Sequence, residues 1–175
     1  MRENEPAFSK LMDVLTENTV FYLDLQKKAG AELFQLFDTW AGILRPADYA
    51  HYCLPYVKSI FERVKMPSIY YVKNCSHVLP LMDQTKADFL SVCHTVVLGH
   101  QSTVEKTKKG IQGNLFTGML YADPQTLKKE VNDVILGGVK HGRYIFNLSH
   151  GILPDMDVDQ LKRVVEQVHE FSLRR

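Results

Sequence analysis

The sequence predicts an α/β fold organised on one parallel sheet. Five short, largely apolar runs recur along the 175 residues, separated by longer stretches whose apolar residues fall three and four apart. Spacers of that length carry the chain back over a sheet as right-handed βαβ crossovers, so consecutive strands run the same way. No linker or low-complexity tract divides the sequence, and residues 1–175 read as a single domain.

The elements follow in order. Phe8, Leu11, Met12, Leu15, Val20, Phe21 and Leu25 set a long opening helix, with Pro6 near its first turn and Gly30 as its stop. Glu32–Phe37 is the first strand, short and mostly apolar as buried parallel strands are. A helix is expected over Pro46–Lys65, with Asp48 in its first turn and Lys65 in its last, both suited to the macrodipole. Pro55 lies inside it and predicts a kink or break near Leu54. Ser68–Val72 is the second strand, 78–84 a short helix, Asp88–Val92 the third strand and Val96–Lys109 a helix. Ile111–Asn114 is a fourth, very short strand. Pro124–Leu136 is a helix that starts at its proline and stops at Gly137-Gly138. Arg143–Leu148 is the fifth strand and Asp157–Leu173 the last helix. This pattern fits a complete doubly wound domain or five-eighths of a (β/α)8 barrel, and periodicity leaves both open.

Composition excludes several classes of function. Apolar residues make 45% and charged residues 23%, the balance of an ordinary globular domain. A net charge of +1 supplies no field to draw nucleic acid or an anionic membrane, and Lys106, Lys108 and Lys109 read as a solvated helix end. No apolar run is long enough to span a bilayer, and Met1–Pro6 lacks the apolar core of a secretory signal. Cys53, Cys75 and Cys93 form no even framework and no Cys-x-x-Cys pair, so reduced thiols in a cytoplasmic setting are expected.

Polar residues gather just after the strand ends: Asp38-Thr39-Trp40, Lys73-Asn74-Cys75, Cys93-His94, Asn114, and Asn147 to His150. Parallel α/β folds hold ligands at the carboxyl ends of strands, so this recurrence is what a site across one face requires. The plainer account is that chains simply become polar where strands end. No Gly-x-Gly-x-x-Gly, Walker-type Gly-Lys-Ser/Thr or His-Glu-x-x-His is present, leaving nucleotide cofactors without a cradle. Cys75 with His77 and Cys93 with His94 are close in sequence, but zinc needs three or four convergent ligands. His51, His100, His141 and His169 carry no partner pattern, and Trp40 and Tyr71 read as packing residues.

Four stretches resemble the uroporphyrinogen decarboxylase family over nearly the whole chain and in order. They are Leu36-Phe-Asp-Thr-Trp-Ala-Gly42, Leu54-Pro-Tyr56, Gln112-Gly-Asn-Leu115 and Phe146-Asn-Leu-Ser-His-Gly-Ile-Leu-Pro-Asp155, the last being the most specific. The resemblance implies the C-terminal part of a TIM (β/α)8 barrel, about five βα units, lacking the first three strands and beginning in the helix after the third. It implies a carboxy-lyase that removes carboxylates from the acetate arms of uroporphyrinogen in haem biosynthesis, without metal or organic cofactor. In that family a fixed aspartate stabilises the cation formed when a pyrrole is protonated at carbon.

Residue by residue, the resemblance makes Thr39 the hydroxyl that bonds a substrate carboxylate and His150 the substrate-contacting histidine. The family's aspartate and arginines have no counterpart here, so no catalytic residue is assigned and catalysis is expected to need the N-terminal half. Asp38 belongs to the fourth-strand motif and is not that aspartate. The sequence departs from the family's usual residues at Cys93-His94, at Phe116-Thr117 and at Ser149, changes that face the substrate side. A non-catalytic tetrapyrrole-binding or interaction module is the alternative. A related branch of corrinoid-using methyltransferases holds zinc with His-x-Cys where this chain has Lys73-Asn74-Cys75, and protonated lysine is a poor ligand. Leu33, Leu36, Ile69, Tyr71, Leu90, Ile145 and Phe146 are the expected lining of an incomplete inner face. Such a face predicts self-association or pairing with an N-terminal half.

Overall fold

The computed structural model describes residues 1–99 and 107–173. It opens with α1 (Glu5–Lys28), whose N-terminus is capped by Asn4 accepting from the Ala7 amide. Lys27 and Lys28 occupy the last turn, and Gly30 then takes φ +103°, a left-handed conformation that ends the helix. Five strands follow: β1 (Phe34–Phe37), β2 (Ser68–Tyr71), β3 (Phe89–Ser91), β4 (Gly110–Leu115) and β5 (Tyr144–Leu148). They form one sheet in the order β1-β2-β3-β4-β5, every pair parallel. The α/β prediction and all five strands hold, each within two residues of its expected bounds.

The expected break in the second helix is present. It divides into α2 (Pro46–Tyr52) and α3 (Leu54–Arg63) at Cys53, with Pro55 at the start of the second piece. Lys65 falls beyond the helix end, and its ammonium caps the helix by donating to the Glu62 carbonyl. The short helix is α4 (Leu79–Met82), entered through a 3-10 turn at Cys75–His77.

Two helix expectations differ from the structure in part, for identifiable reasons. Residues 96–99 are non-helical: the Asn114 side-chain amide donates to the Val96 carbonyl, an acceptor that a helix's first turn would use, and to the carbonyl of Cys93 before it. The rest of that expected helix, 100–106, lies outside the described residues, and 107–109 are non-helical. The helix from Pro124, α5, runs on to Val139 straight through Gly137-Gly138. These glycines serve close approach: a Cβ at Gly137 would lie 2.8 Å from the Leu98 carbonyl oxygen, and one at Gly138 2.3 Å from the Tyr144 ring. The last helix, α6, spans Val158–Leu173.

Strand alternation sorts the side chains into two faces. On the helix side, Phe34 stacks on Phe61 at 5.5 Å, and Tyr70, Val72, Leu90 and Ile111 join the main core. Leu36 packs against that core, and Phe146 joins a second cluster with Leu127, Val131 and Ile135. Leu36, Leu90 and Phe146 therefore do not line the inner face as expected, and Leu33 is exposed. Leu36, Leu90 and Phe146 sit one residue out of phase with the inward positions. Ile69, Tyr71 and Ile145 do face inward. In register, Phe37, Tyr71, Ser91, Gln112 and Ile145 stand side by side across all five strands.

The sheet is strongly curved. Gln112 of β4 donates to the Gln35 side chain of β1 at 3.2 Å and to the Ser91 hydroxyl at 3.0 Å. In a flat sheet, three strand spacings of roughly 4.8 Å would hold β1 and β4 about 14 Å apart. This curvature decides between the two architectures: the molecule is part of a (β/α)8 barrel and not an open doubly wound sheet.

Candidate functional site

A cavity of about 400 Å³ opens at the carboxyl ends of the strands on the inner face. Thr39 and His150, read from opposite ends of the sequence, both line it. Gln35, Phe37, Tyr71 and Ser91 form the strand side of its wall, and Asn147, Leu148, Ser149 and Gly151 join His150 on the other. Curvature brings the residues after β1 and after β5 together, with β2 and β3 forming the floor between them.

The loop after β1 is anchored from behind. The Asp38 amide donates to the Tyr71 carbonyl, and its carboxylate accepts from the Tyr70 hydroxyl and the Cys53 thiol, each at 3.0 Å. Tyr49 and Tyr70 share a further hydrogen bond of 2.7 Å. Burial pushes both phenols and the Cys53 thiol upward, so all three stay neutral donors. A Cβ on Gly42 would lie 1.8 Å from the Lys73 carbonyl oxygen, so the turn Ala41–Ile43 presses on the next loop. Asp38 thus points away from the cavity, while Thr39 faces it. Thr39 does not cap α2, whose preceding residue makes no side-chain cap. Trp40 is largely exposed, with the Lys73 ammonium 6.0 Å from its ring centre.

The loop after β5 is held at several points. The Ser149 amide donates to the Leu115 carbonyl, and the Tyr71 hydroxyl donates to the Ser149 carbonyl at 2.9 Å. Thr117 donates to the His150 carbonyl at 3.0 Å, leaving the imidazole exposed on the cavity wall. Burial pushes the Tyr71 phenol up to about 12, so it remains a donor at neutral pH. His94 lies beside this loop, its Nδ1 3.2 Å from the Ser149 hydroxyl and its ring centre 4.5 Å from that of Phe116.

Of the polar residues after the strands, only Thr39 and the run Asn147 to His150 reach the cavity. Cys75 and Cys93 are buried on the helix side, where a hydrogen bond from Cys75 draws Cys93 below the ordinary thiol range. Asn114 is committed to backbone carbonyls. Among the described residues no three His, Cys, Asp or Glu side chains converge as a metal-holding group. Gln35 and Ser91 were not expected here, and Tyr71, expected on the inner face, reads from the sequence as packing alone. Their signal is a polar or phenolic residue in an otherwise apolar parallel strand, at the phase that points inward.

Comparison with known proteins identifies the scaffold. The family model for uroporphyrinogen decarboxylase (URO-D) matches residues 1–171. The chain belongs to the uroporphyrinogen decarboxylase family. Uroporphyrinogen decarboxylase of Thermodesulfovibrio yellowstonii is 39% identical over 95% of this chain, and that of Aquifex aeolicus 36% identical over 99%. The match covers 49% and 52% of those two proteins, so the chain spans about half the length of the curated relatives it matches. A methyltransferase from Methanosarcina mazei shares the fold with a TM-score of 0.77 at 19% identity, over 91% of this chain and 48% of that one. Half of a relative's length and a curved five-stranded sheet agree: this is a partial TIM barrel. No helix among the described residues is long and apolar enough to cross a membrane.

Proposed function

We propose that this chain supplies the C-terminal half of a uroporphyrinogen decarboxylase, acting on uroporphyrinogen to give coproporphyrinogen in the cytoplasm. The observation that carries this reading is the convergence of Thr39 and His150 on one cavity in a chain of that family. In this reading the Thr39 hydroxyl and the His150 imidazole bind carboxylates of the tetrapyrrole. Gln35 and Asn147 offer further polar contacts, and Phe37 and Tyr71 offer aromatic surface to the macrocycle. The anion that stabilises the protonated pyrrole is an aspartate contributed by an N-terminal half, which also completes the barrel. No metal or cofactor takes part.

The test is production of coproporphyrinogen and CO2 from uroporphyrinogen, by this chain alone and then with the other half of a family barrel added. Turnover is expected only with both halves present, and Thr39→Ala or His150→Ala in this chain is expected to lower it. Turnover by the chain alone would contradict the assignment of that essential anion to the other half. Absence of turnover in the reconstituted pair, with uroporphyrin binding retained, would favour a tetrapyrrole-binding module instead.

A further inference from the structure

Both peptide carbonyls next to the His150 side chain are held by hydroxyl donors from other strands' ends. Tyr71 donates to the carbonyl of Ser149 at 2.9 Å, and Thr117 donates to the carbonyl of His150 at 3.0 Å. The Ser149 amide reaches the Leu115 carbonyl at 2.7 Å, and its hydroxyl meets His94 Nδ1 at 3.2 Å. His94 in turn rests on Phe116, the residue before Thr117. Tyr71, Thr117 and Ser149 are each buried, with 6%, 6% and 2% of their surface exposed. A solvent-exposed imidazole therefore stands on a backbone fixed from three directions. Exposed loops without such anchoring sample many conformations, and a ligand must pay to order them.

We propose that Tyr71, Thr117 and Ser149 are positioning residues that set the pose of His150 before any ligand arrives. Tyr71 does this from the cavity floor, so the same ring that lines the site also fixes the histidine opposite Thr39. The proposal deepens the reading of the cavity as a polycarboxylate site and rests on it for its functional meaning. The arrangement also assigns a task to His94, which supports the loop through Ser149 without itself lining the cavity.

The test follows the His150 imidazole by NMR in the whole chain. Tyr71→Phe keeps the ring and removes one hydroxyl; Thr117→Val removes the other at nearly constant shape. In both variants the His150 carbon–proton signals are expected to broaden or split relative to the parent, and Thr117→Ser to restore a single sharp set. His141, whose Nε2 is 2.6 Å from the Lys109 carbonyl oxygen, serves as a fold control and is expected to stay unchanged. His150 signals in both variants identical to the parent's would overturn the clamp. A second arm titrates uroporphyrin against each protein. Binding is expected to weaken about three- to tenfold in Tyr71→Phe, the scale of ordering one or two side chains. If uroporphyrin leaves the parent's His150 signal unmoved, the cavity reading fails, while the clamp is still judged by line shape.

Discussion

At the scale of single residues, close backbone contacts govern the site as much as its polar groups do. Gly42 shows this most plainly, because a Cβ there would lie 1.8 Å from the Lys73 carbonyl oxygen. Gly42→Ala must push the turn after Thr39 away from the loop after β2. The expected cost is about 1–3 kcal/mol, as for other overpacked positions, read as a lowered midpoint in urea unfolding. An unchanged midpoint would mean that the two loops separate freely. Thr39 and His150 were singled out through the family resemblance, from motifs at strand ends, and both line one cavity. Gln35 and Ser91 were not, and Tyr71 was placed on the inner face only as packing, since a role in the cavity depends on which face of a strand a residue occupies and on how sharply the sheet bends. His94 links Ser149 and Phe116 in a chain of contacts beside the loop after β5.

At the scale of elements, capping and proline signals worked and glycine signals worked only in part. Pro6, Pro55 and Pro124 each fall in the first turn of a helix, and Gly30 ends α1. Gly137-Gly138 resembled a stop but sits within α5, because packing against Leu98 and Tyr144 demands small residues there. Tertiary contact of that kind leaves no local trace. The same helix begins at Asp123, whose carboxylate accepts from the amides of Gln125 and Thr126. Those hydrogen bonds, that to Thr126 foremost, hold its pKa below the ordinary aspartate value. With the folded value depressed, the stabilisation is complete above the unfolded pKa and fades as pH falls through the folded one. Asp123→Asn keeps the cap geometry but removes this titration. Its thermal midpoint is therefore expected to fall less than the parent's between about pH 5 and about pH 2. Parallel loss in both proteins would show that the cap contributes nothing through its charge.

At the scale of the whole molecule, the order of elements was legible, and periodicity left two architectures open between which the family resemblance chose the barrel. Sheet curvature depends on inner-face packing such as that of Gln112 with Gln35, which no single segment encodes. The result is an incomplete cylinder. Among the described residues β1 and β5 each pair on one side only. Large apolar side chains stand exposed beside the β1 edge and along α1, among them Phe37, Trp40, Ile43, Phe21, Tyr22 and Leu25. Covering each is worth about 1.5–3 kcal/mol, against a typical domain stability of roughly 5–15 kcal/mol, so a covering surface would matter greatly. The same cover would wall the cavity that Thr39 and His150 share. The most direct measurement is the solution mass of the purified chain by light scattering at micromolar concentration. An assembly larger than the 20.1 kDa single chain is expected, dissociating when the other half of a family barrel is supplied in excess to form a one-to-one complex. A stable, monodisperse 20.1 kDa particle that ignores the other half would contradict the account.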